Sequence, residues 1–600
     1  AAGIQRLLRT RTPMDFLRER WQWFVISALA CVTLVLGYIG FLNHVETGPS
    51  ATPLDLVYLT LQLFGLESGG VPQPVPWQLQ VARFLAPVVA LWTLLKGLAV
   101  LFREEFNKAR LWIIHDHSII CGLGRKGLEL VRECRAAGQS VVAIDVDPHN
   151  DNLRVCRHLG AVVLVGDAAD ELLLKKARVS RARELVATTE SDGINILAVM
   201  HACQLTKALR SDLMGPLSCY VHVVDLKLCN LFKSHRIFTD TADKAHVKVF
   251  NIYENTARQL FSEHPLDRVH DPAHTPATIH LILVGFGQMG ESLAVQAAKL
   301  GHFAQGDQLK ISVIDARAKD KEKSFESRYP YFREVCPIEF HQGYIDDLGV
   351  LTVVEGFVNM PGTLPRLAIC LDNDLRNLST AMALYERMLD VNLAIFVRMA
   401  DETGITSLLD ELARNMGEGP RVIPFGMLNH ISRRRTLLAE NQDRMARILH
   451  EEYVEAEIAN GREVSGDAMQ PWEKLPPGYR DSNRQAADYI SVKLRAIGCW
   501  SGPPGMDGEA YNGFTPKEIE LMAQLEHRRW MAEKYLAGWS KGPRDNRKKK
   551  HNLLVPWSKL SKENKQKDRN SVTEIPHLLE VVGETIYRTN APRPSRKKKS

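Results

Sequence analysis

Between Trp21 and Leu42 the chain has no aspartate, glutamate, lysine or arginine, and between Asn43 and Gln80 it has no lysine or arginine. The first absence excludes an ordinary solvated helix. An uncharged run of that length can cross a bilayer core, which takes about 20 apolar residues as helix. Inside such a helix every backbone polar group is satisfied, because lipid offers no partner. A second apolar run, Val81 to Phe102, carries only Arg83 and Lys96. Arg6, Arg9, Arg11, Arg18 and Arg20 precede the pair, and Arg103, Lys108 and Arg110 follow it. The lack of positive charge between the runs then puts both ends of the pair on the cytoplasmic side. No small-residue cleavage pattern follows the first run, which argues against a secretory signal. The ten cysteines lack paired spacing, so neither a disulfide framework nor a zinc site is expected, and a reduced cytosolic setting fits.

The remainder is mostly soluble in character. Six hundred residues suggest about four domains, and the mean hydropathy is −0.17. The formal charge of +6 gathers in Arg547-Lys548-Lys549-Lys550 and in the tail Arg593 to Lys599. Such runs are solvated faces or contacts for anionic lipid headgroups; nucleic acid is not an expected partner.

Between the two spans, Leu54 to Phe64 is apolar but too short to cross. It reads as a re-entrant helix leading into Phe64, Gly65, Leu66, Glu67, Ser68 and Gly69, whose flexible backbone carbonyls can replace an ion's hydration shell. Glu67 either forms a ring of carboxylates at the outer mouth, favouring cations, or braces the loop from behind. Lys96 favours anions if it faces the lumen; the alternative is snorkelling to the nearby interface. Pro87 and Gly97 are where the inner helix can bend. Over about the first hundred residues this layout resembles the two-span potassium-channel family. The family's filter signature, Thr-Val-Gly-Tyr-Gly, is absent, and Leu63-Phe64-Gly65-Leu66-Glu67 stands in its place. The resemblance implies a pore for a permeant monovalent cation with a non-standard filter.

Downstream, the strand-like Ser118-Ile119-Ile120-Cys121 runs into Gly122-Leu123-Gly124-Arg125-Lys126-Gly127, a helical pattern, and a second strand ending at Asp145. This is a dinucleotide-binding fingerprint in its proper context. The glycines allow a tight turn and close approach to pyrophosphate, the helix N-terminus offers amides, and the acid suits a ribose hydroxyl. The unit recurs: His280 to Val284, then Gly285, Phe286, Gly287, Gln288, Met289 and Gly290, a helix, and a strand ending at Asp315. The segment Thr188 to Asn195, with Asp192, parallels Cys370 to Asn377, with Asp372. The internal repeat predicts two tandem α/β domains. Both resemble regulator-of-potassium-conductance (RCK, TrkA-N) domains, with Gly166-Asp167-Ala168 matching the third-strand motif and Gly343-Tyr344 departing from it. That resemblance implies a homotetramer with an eight-domain RCK ring, regulated by NAD or another adenine nucleotide. No substrate domain is recognisable beside either unit, so a dehydrogenase is not expected, and His201 and His222 read as structural.

Beyond Asn429 a charged helix, Ile431 to Glu457, leads to segments rich in tryptophan. Trp472, Leu475, Pro476, Asn483, Arg484, Glu526, His527, Arg529, Trp530, Gly538, Trp539 and Pro556 resemble the RyR domain, the module repeated in ryanodine receptors. Aromatic faces beside guanidinium forks suit a flat anionic ligand, which makes Trp472, Asn483, Arg484, His527, Arg529, Trp530 and Trp539 the candidate pocket. The alternative is that Trp530 and Trp539 are core and that Glu526 pairs with Arg529 at i, i+3. Glu526-His527 has no second histidine at metal-binding spacing, so no metal is expected.

The expected fold is thus multi-domain: an α-helical two-span membrane pore, two tandem Rossmann-like α/β RCK domains, and a mainly helical C-terminal RyR domain. The expected boundaries are a cytoplasmic N-terminus (1–20), the pore domain (21–110), the first RCK domain (111–270), the second (271–430), a connecting helix and linker (431–470), the RyR domain (471–590) and a basic tail (591–600). The chain reads as a ligand-gated cation channel of an inner (plasma) membrane, multi-pass in the lipid bilayer with both termini cytoplasmic. Peripheral RyR modules bind a further small-molecule ligand. Two rivals stay open, a non-conducting membrane-anchored sensor and an anion pore.

Overall fold

The computed structural model describes residues 13–44, 52–65, 74–101, 111–211, 213–225, 244–268, 278–304, 309–345, 347–388, 393–399, 421–426, 443–459, 461, 466–472, 475–506, 509–511 and 513–588. These divide into two units, one ending at Ile113 and the other beginning at Ile114.

In the first unit, helix α1 (Pro13–His44) and helix α3 (Trp77–Leu101) flank the short α2 (Pro53–Gln62) and a 3-10 turn, Leu63–Gly65. Phe24–His44 and Trp77–Leu98 are long and apolar enough to span a bilayer. Thr52 and Pro53 start α2: the Asp55 carboxylate accepts the Thr52 N–H at 2.9 Å, and proline fills a first-turn position that has no intrahelical partner to lose. Gly40 lets α1 touch α3, since a Cβ there would sit 2.6 Å from the Leu79 nitrogen; small residues at such crossings let apolar helices pack closely. Phe41, Leu56, Leu63, Leu79, Ala82 and Ala86 form the internal contact, while Phe84, Val88 and Leu91 point outward.

The second unit contains two parallel six-stranded sheets. In the first, β1 (Ser118–Cys121), β2 (Val141–Asp145), β3 (Val162–Val165), β4 (Glu184–Ala187), β5 (Leu217–His222) and β6 (Ala245–Phe250) are ordered β3-β2-β1-β4-β5-β6. Helices α4 (Arg125–Ala136), α5 (Asp151–His158), α6 (Glu171–Lys176) and α7 (Asp192–Leu209) connect the first five strands. Helix α8 (Ile252–Glu263) follows β6. The second sheet repeats the plan. Strands β7 (Thr278–Val284), β8 (Lys310–Asp315), β9 (Ile338–Gln342), β10 (Thr363–Ile369), β11 (Ala394–Arg398) and β12 (Arg421–Phe425) take the order β9-β8-β7-β10-β11-β12. Helices α9 (Gln288–Leu300), α10 (Ala318–Arg328), α11 (Leu348–Val358) and α12 (Asp374–Arg387) connect its first five strands. Central strands such as β1 and β4 are buried along their whole length, as parallel strands covered on both faces must be.

Helix α8 joins the two halves. Ile252, at its start, packs in the first sheet's core, whereas Ala257, Leu260 and Phe261 pack in the second. The C-terminal module also enters the second core. Helices α13 (Asp443–Ala459), α14 (Pro477–Ala496), α15 (Pro516–Leu536), α16 (Lys562–Thr573) and α17 (Ile575–Val581) surround a small sheet of β13 (Cys499–Gly502), β14 (Glu509–Ala510) and β15 (Thr585–Arg588), ordered β13-β15-β14. Tyr489 and Val492 of α14 and Leu525 of α15 belong to the second sheet's core. Arg258 of α8 forks onto Asp488 of α14 at 2.7 and 2.8 Å, and Arg495 of α14 meets Asp267 at 2.9 Å. The module is therefore not peripheral, as expected above, but fused to the second sheet. Amphipathic helices show in sequence that they bury a face, not which core receives it. Residues 431–442 of the expected charged helix, and the tail 591–600, lie outside the described residues.

Candidate functional site

Both glycine loops are shaped by what surrounds them. Gly122 has φ of +87°, and Gly285 of +88°, each closing the turn after a first strand. A Cβ at Gly127 would lie 1.8 Å from the Gly122 carbonyl oxygen, and one at Gly290 would lie 2.3 Å from that of Gly285. The middle glycines differ. Nothing lies within 4 Å of a Cβ at Gly124, and only Asp372 Oδ1, at 4.0 Å, approaches one at Gly287. The outer glycines thus serve strand–helix packing, and the middle ones leave room above a helix N-terminus, as close approach of a phosphate requires. The residues present fit a nucleotide phosphate.

A cleft of about 590 Å³ opens over the first loop, at the β1/β4 switch of the strand order. Its wall contains Gly124, Arg125, Lys126, Thr188 and Asp192 from the first sheet's loops, and Tyr253 and Thr256 from α8. The second sheet supplies Gln288 and Met289 from the first turn of α9, with Arg328, Arg398 and Gly426. The amino group of Lys126 lies 3.3 Å from Nε2 of His222 and 5.1 Å from the Tyr253 ring centre. The Arg398 guanidinium faces the same ring at 5.9 Å. Burial, then the nearby Arg398 charge, push the Lys126 amine down to about 8 against the pull of Asp192 and Glu190. Burial and Lys126 push His222 down to about 3, so its ring is neutral. Two cations around one aromatic ring make this part of the cleft suited to an anion, while Glu190, Asp192 and Asp225 line other parts of the same wall.

The other expected contacts have different posts. Asp145 accepts the Leu123 N–H at 2.6 Å and the Asp147 N–H at 3.0 Å, and Asp315 likewise accepts those of Phe286 and Arg317, both at 2.8 Å. Both acids brace their glycine turns from outside the cleft wall. Asp167 is exposed and accepts the Ala169 N–H at 2.9 Å. Asp192 holds the chain after β5, accepting the N–H groups of Val224 and Asp225. Buried Asn195 donates to the carbonyls of Thr189 and His222, and buried Asn377 to those of Leu371 and Arg398. These asparagines tie the fourth strand to the fifth in each sheet. Their matching places in the repeat were readable in sequence; their bonds were not. Tyr253, Arg328 and Arg398 were not singled out, because nothing local marks a residue that reaches a distant loop. His201, set aside as structural, places Nδ1 2.6 Å from the Ala169 carbonyl oxygen.

Of the expected pore residues, Phe64 and Gly65 close the 3-10 turn after α2, while Leu66, Glu67, Ser68 and Gly69 lie outside the described residues. Pro87 sits within α3, and Lys96 and Gly97 lie in its last two turns.

In the C-terminal module, Arg484 forks onto Asp443 at 2.8 and 2.7 Å and also reaches Asp481. Arg529 is held between Glu526 and Glu533. These guanidinium groups are engaged by carboxylates of the module. Asn483 is half-buried on α14, and Trp472 lies beside His450, ring centres 6.1 Å apart. His527 stacks on Trp530, and His551 meets the edges of Trp530 and Trp539. Lys534 lies 5.8 and 5.9 Å from those two indoles. Half-buried Trp530 and Trp539 thus carry a cation beside an aromatic surface.

Comparison with known proteins fits this architecture. Residues 118–211 match the TrkA-N domain, and residues 515–588 match the RyR domain. Potassium channel protein 1 of Methanocaldococcus jannaschii is 30% identical over 104 residues, 17% of this chain and 31% of the relative. The voltage-gated potassium channel Kch of Escherichia coli is 30% identical over 120 residues, 19% of this chain and 29% of the relative. The chain therefore spans about a third of the length of these curated relatives. A solved GsuK channel bound to NAD is 13% identical, with a TM-score of 0.37, covering 83% of this chain and 88% of its own. With its two apolar helices and its TrkA-N match, the chain is similar to potassium-channel proteins.

Proposed function

We propose that this chain is the subunit of a ligand-gated, cation-conducting channel of the potassium-channel kind, whose gate answers to a nucleotide. The carrying observation is the cleft in which the open Gly124 approach, Lys126 and Arg398 converge. The potassium-channel relatives and the two apolar helices supply the conducting context. The nucleotide is NAD or another adenine nucleotide acting as a regulator, and no enzymatic turnover is assigned. The working assembly is a homotetramer with an eight-domain ring in an inner membrane, both termini cytoplasmic. The surface around Trp530 and Trp539 takes a further small molecule. Ligand changes opening only as far as it binds the open ring better than the closed one.

Current through the purified protein in a planar bilayer, under a potassium chloride gradient with and without NAD or ATP, tests this reading. Nucleotide-dependent current reversing near the potassium potential is expected. Lengthening Glu104 to His115 with flexible residues should leave nucleotide binding intact and abolish its effect on current. Unchanged ligand-dependent opening in that variant would sink the coupling. The missing Thr-Val-Gly-Tyr-Gly signature favours a second reading, a non-conducting sensor, for which tight nucleotide binding without current would speak.

The cleft also predicts a pH dependence. An anion beside Lys126 favours its protonated form, which prevails below about 8. Nucleotide affinity is therefore expected to hold steady up to that pH and fall above it, by at most about tenfold per pH unit for one titrating group. Neutral His222 does not contribute across this range. Binding isotherms at about pH 7 and pH 9 check it; equal affinities would place the anion away from Lys126.

A further inference from the structure

Arg398 ends the fifth strand of the second sheet, in the place that His222 takes in the first. Asn377 and Asn195 hold the two carbonyls alike, at 2.9 and 3.0 Å. The equivalent backbone positions carry different side chains, and both residues line the one cleft above the first sheet's glycine loop. Arg398 reaches it across α8, with its guanidinium on the Tyr253 ring that Lys126 also faces. The first turn of α9 arrives at the same wall through Gln288 and Met289. The cleft thus receives the first turns of α4 and α9 and four basic residues, Arg125 and Lys126 from the first unit and Arg328 and Arg398 from the second, beside the carboxylates Glu190, Asp192 and Asp225.

We infer that Arg398 is a phosphate-recognition residue of the first sheet's nucleotide site, so that one ligand carrying a di- or triphosphate is gripped jointly by both Rossmann-like units. The inference rests on the proposed nucleotide reading of that cleft. Its chemistry is that of a paired clamp. Lys126 supplies a compact point charge beside the open Gly124 amide end, and Arg398 supplies a planar fork suited to two phosphate oxygens. Without an anion the two cations repel each other. A phosphate between them removes that repulsion and ties α8, the second sheet and the first loop to one group. A bare nucleoside satisfies none of this, so discrimination rests on the phosphates and not on the base.

Calorimetric titration of the full-length protein in detergent with ADP and with adenosine tests the inference. The Arg398→Gln variant should lose about tenfold in ADP affinity and nothing in adenosine affinity. Arg398→Lys, which keeps the charge without the fork, should recover part of the loss. Arg333→Gln is the control: it removes a cation of the same sheet that is paired with Glu322 and Glu326 on the exposed surface, and it should bind ADP as the wild type does. Wild-type ADP affinity in Arg398→Gln overturns the inference while leaving the nucleotide reading in place. An equal loss in Arg333→Gln also overturns it, because the effect would then be one of net charge. A wild-type protein that binds neither ADP, ATP nor NAD overturns both readings.

Discussion

In an Arg529→Ala variant, amide protection across α14 and α15 is expected to fall by about two to four orders of magnitude, because removing one partner of a buried ion pair costs about 3–5 kcal/mol. Arg529 is 4% exposed, and its guanidinium lies 2.9 Å from Glu526 and 2.8 Å from Glu533. Lys493 takes the other oxygen of Glu526 at 3.0 Å, and Lys534 that of Glu533 at 2.7 Å. Burial opposes each charge, yet the carboxylates hold Arg529 above the ordinary arginine value. Their cationic partners likewise hold Glu526 and Glu533 below the ordinary glutamate value. The wild-type network therefore contributes stability above the usual glutamate range and loses it as pH falls through the depressed values. In the variant both carboxyls lose their strongest partner, titrate higher and neutralise first. The gap between variant and wild type should accordingly narrow as the pH is lowered toward about 5. Hydrogen exchange on the full-length protein in detergent, at neutral and mildly acidic pH, reads both effects. Equal protection at neutral pH would mean that Arg529 compensates no buried charge.

The same residue marks where sequence reasoning stops. Glu526 and Arg529 stand three apart on a helix, and their pairing was one of two readings; the other made Arg529 a ligand contact. Spacing cannot tell whether that pair faces solvent or the interior. The deciding facts, Glu533 one turn on and Lys493 from α14, depend on packing. The Rossmann-like units were far more legible. Short apolar strands, glycines at fixed intervals and an acid ending the second strand are all local, and they occur twice. Strand β6 was not anticipated; it is an edge strand of mixed burial, Ala245 to Phe250. Helix α8 is amphipathic, but its division between two cores is a long-range fact. Arg398 is the extreme case, since a lone arginine after an apolar strand carries no mark of the cleft it enters.

Alanine at Gly127 and alanine at Gly124 should have different effects on the fold, although the two residues are only three apart. At Gly127 the added methyl would sit 1.8 Å from the Gly122 carbonyl oxygen, a distance no rotamer can relieve because both atoms are fixed by backbone. Helix α4 must then move off β1, and the Gly122 N–H bond to Ile144, 2.8 Å long, moves with it. Helix α4 is anchored through Leu130, Val131 and Cys134 in the first sheet's core, so the shift opens a well-packed interior. A loss of about 4 kcal/mol or more is expected, in the range reserved for core and backbone disruption, with nucleotide binding lost alongside. At Gly124 the methyl meets nothing within 4 Å, and φ of −63° suits any residue. The fold should keep its thermal unfolding profile, while the methyl occupies the space a phosphate needs above the α4 amides, lowering ADP affinity by about tenfold or more. The repeat supplies a built-in check. Gly290→Ala should resemble Gly127→Ala in direction and be milder, its methyl standing 2.3 Å from the Gly285 oxygen. Thermal unfolding and ADP titration of the three full-length variants separate the roles. If Gly124→Ala unfolds as readily as Gly127→Ala, or binds ADP as tightly as the wild type, the open space above Gly124 is not where a phosphate sits.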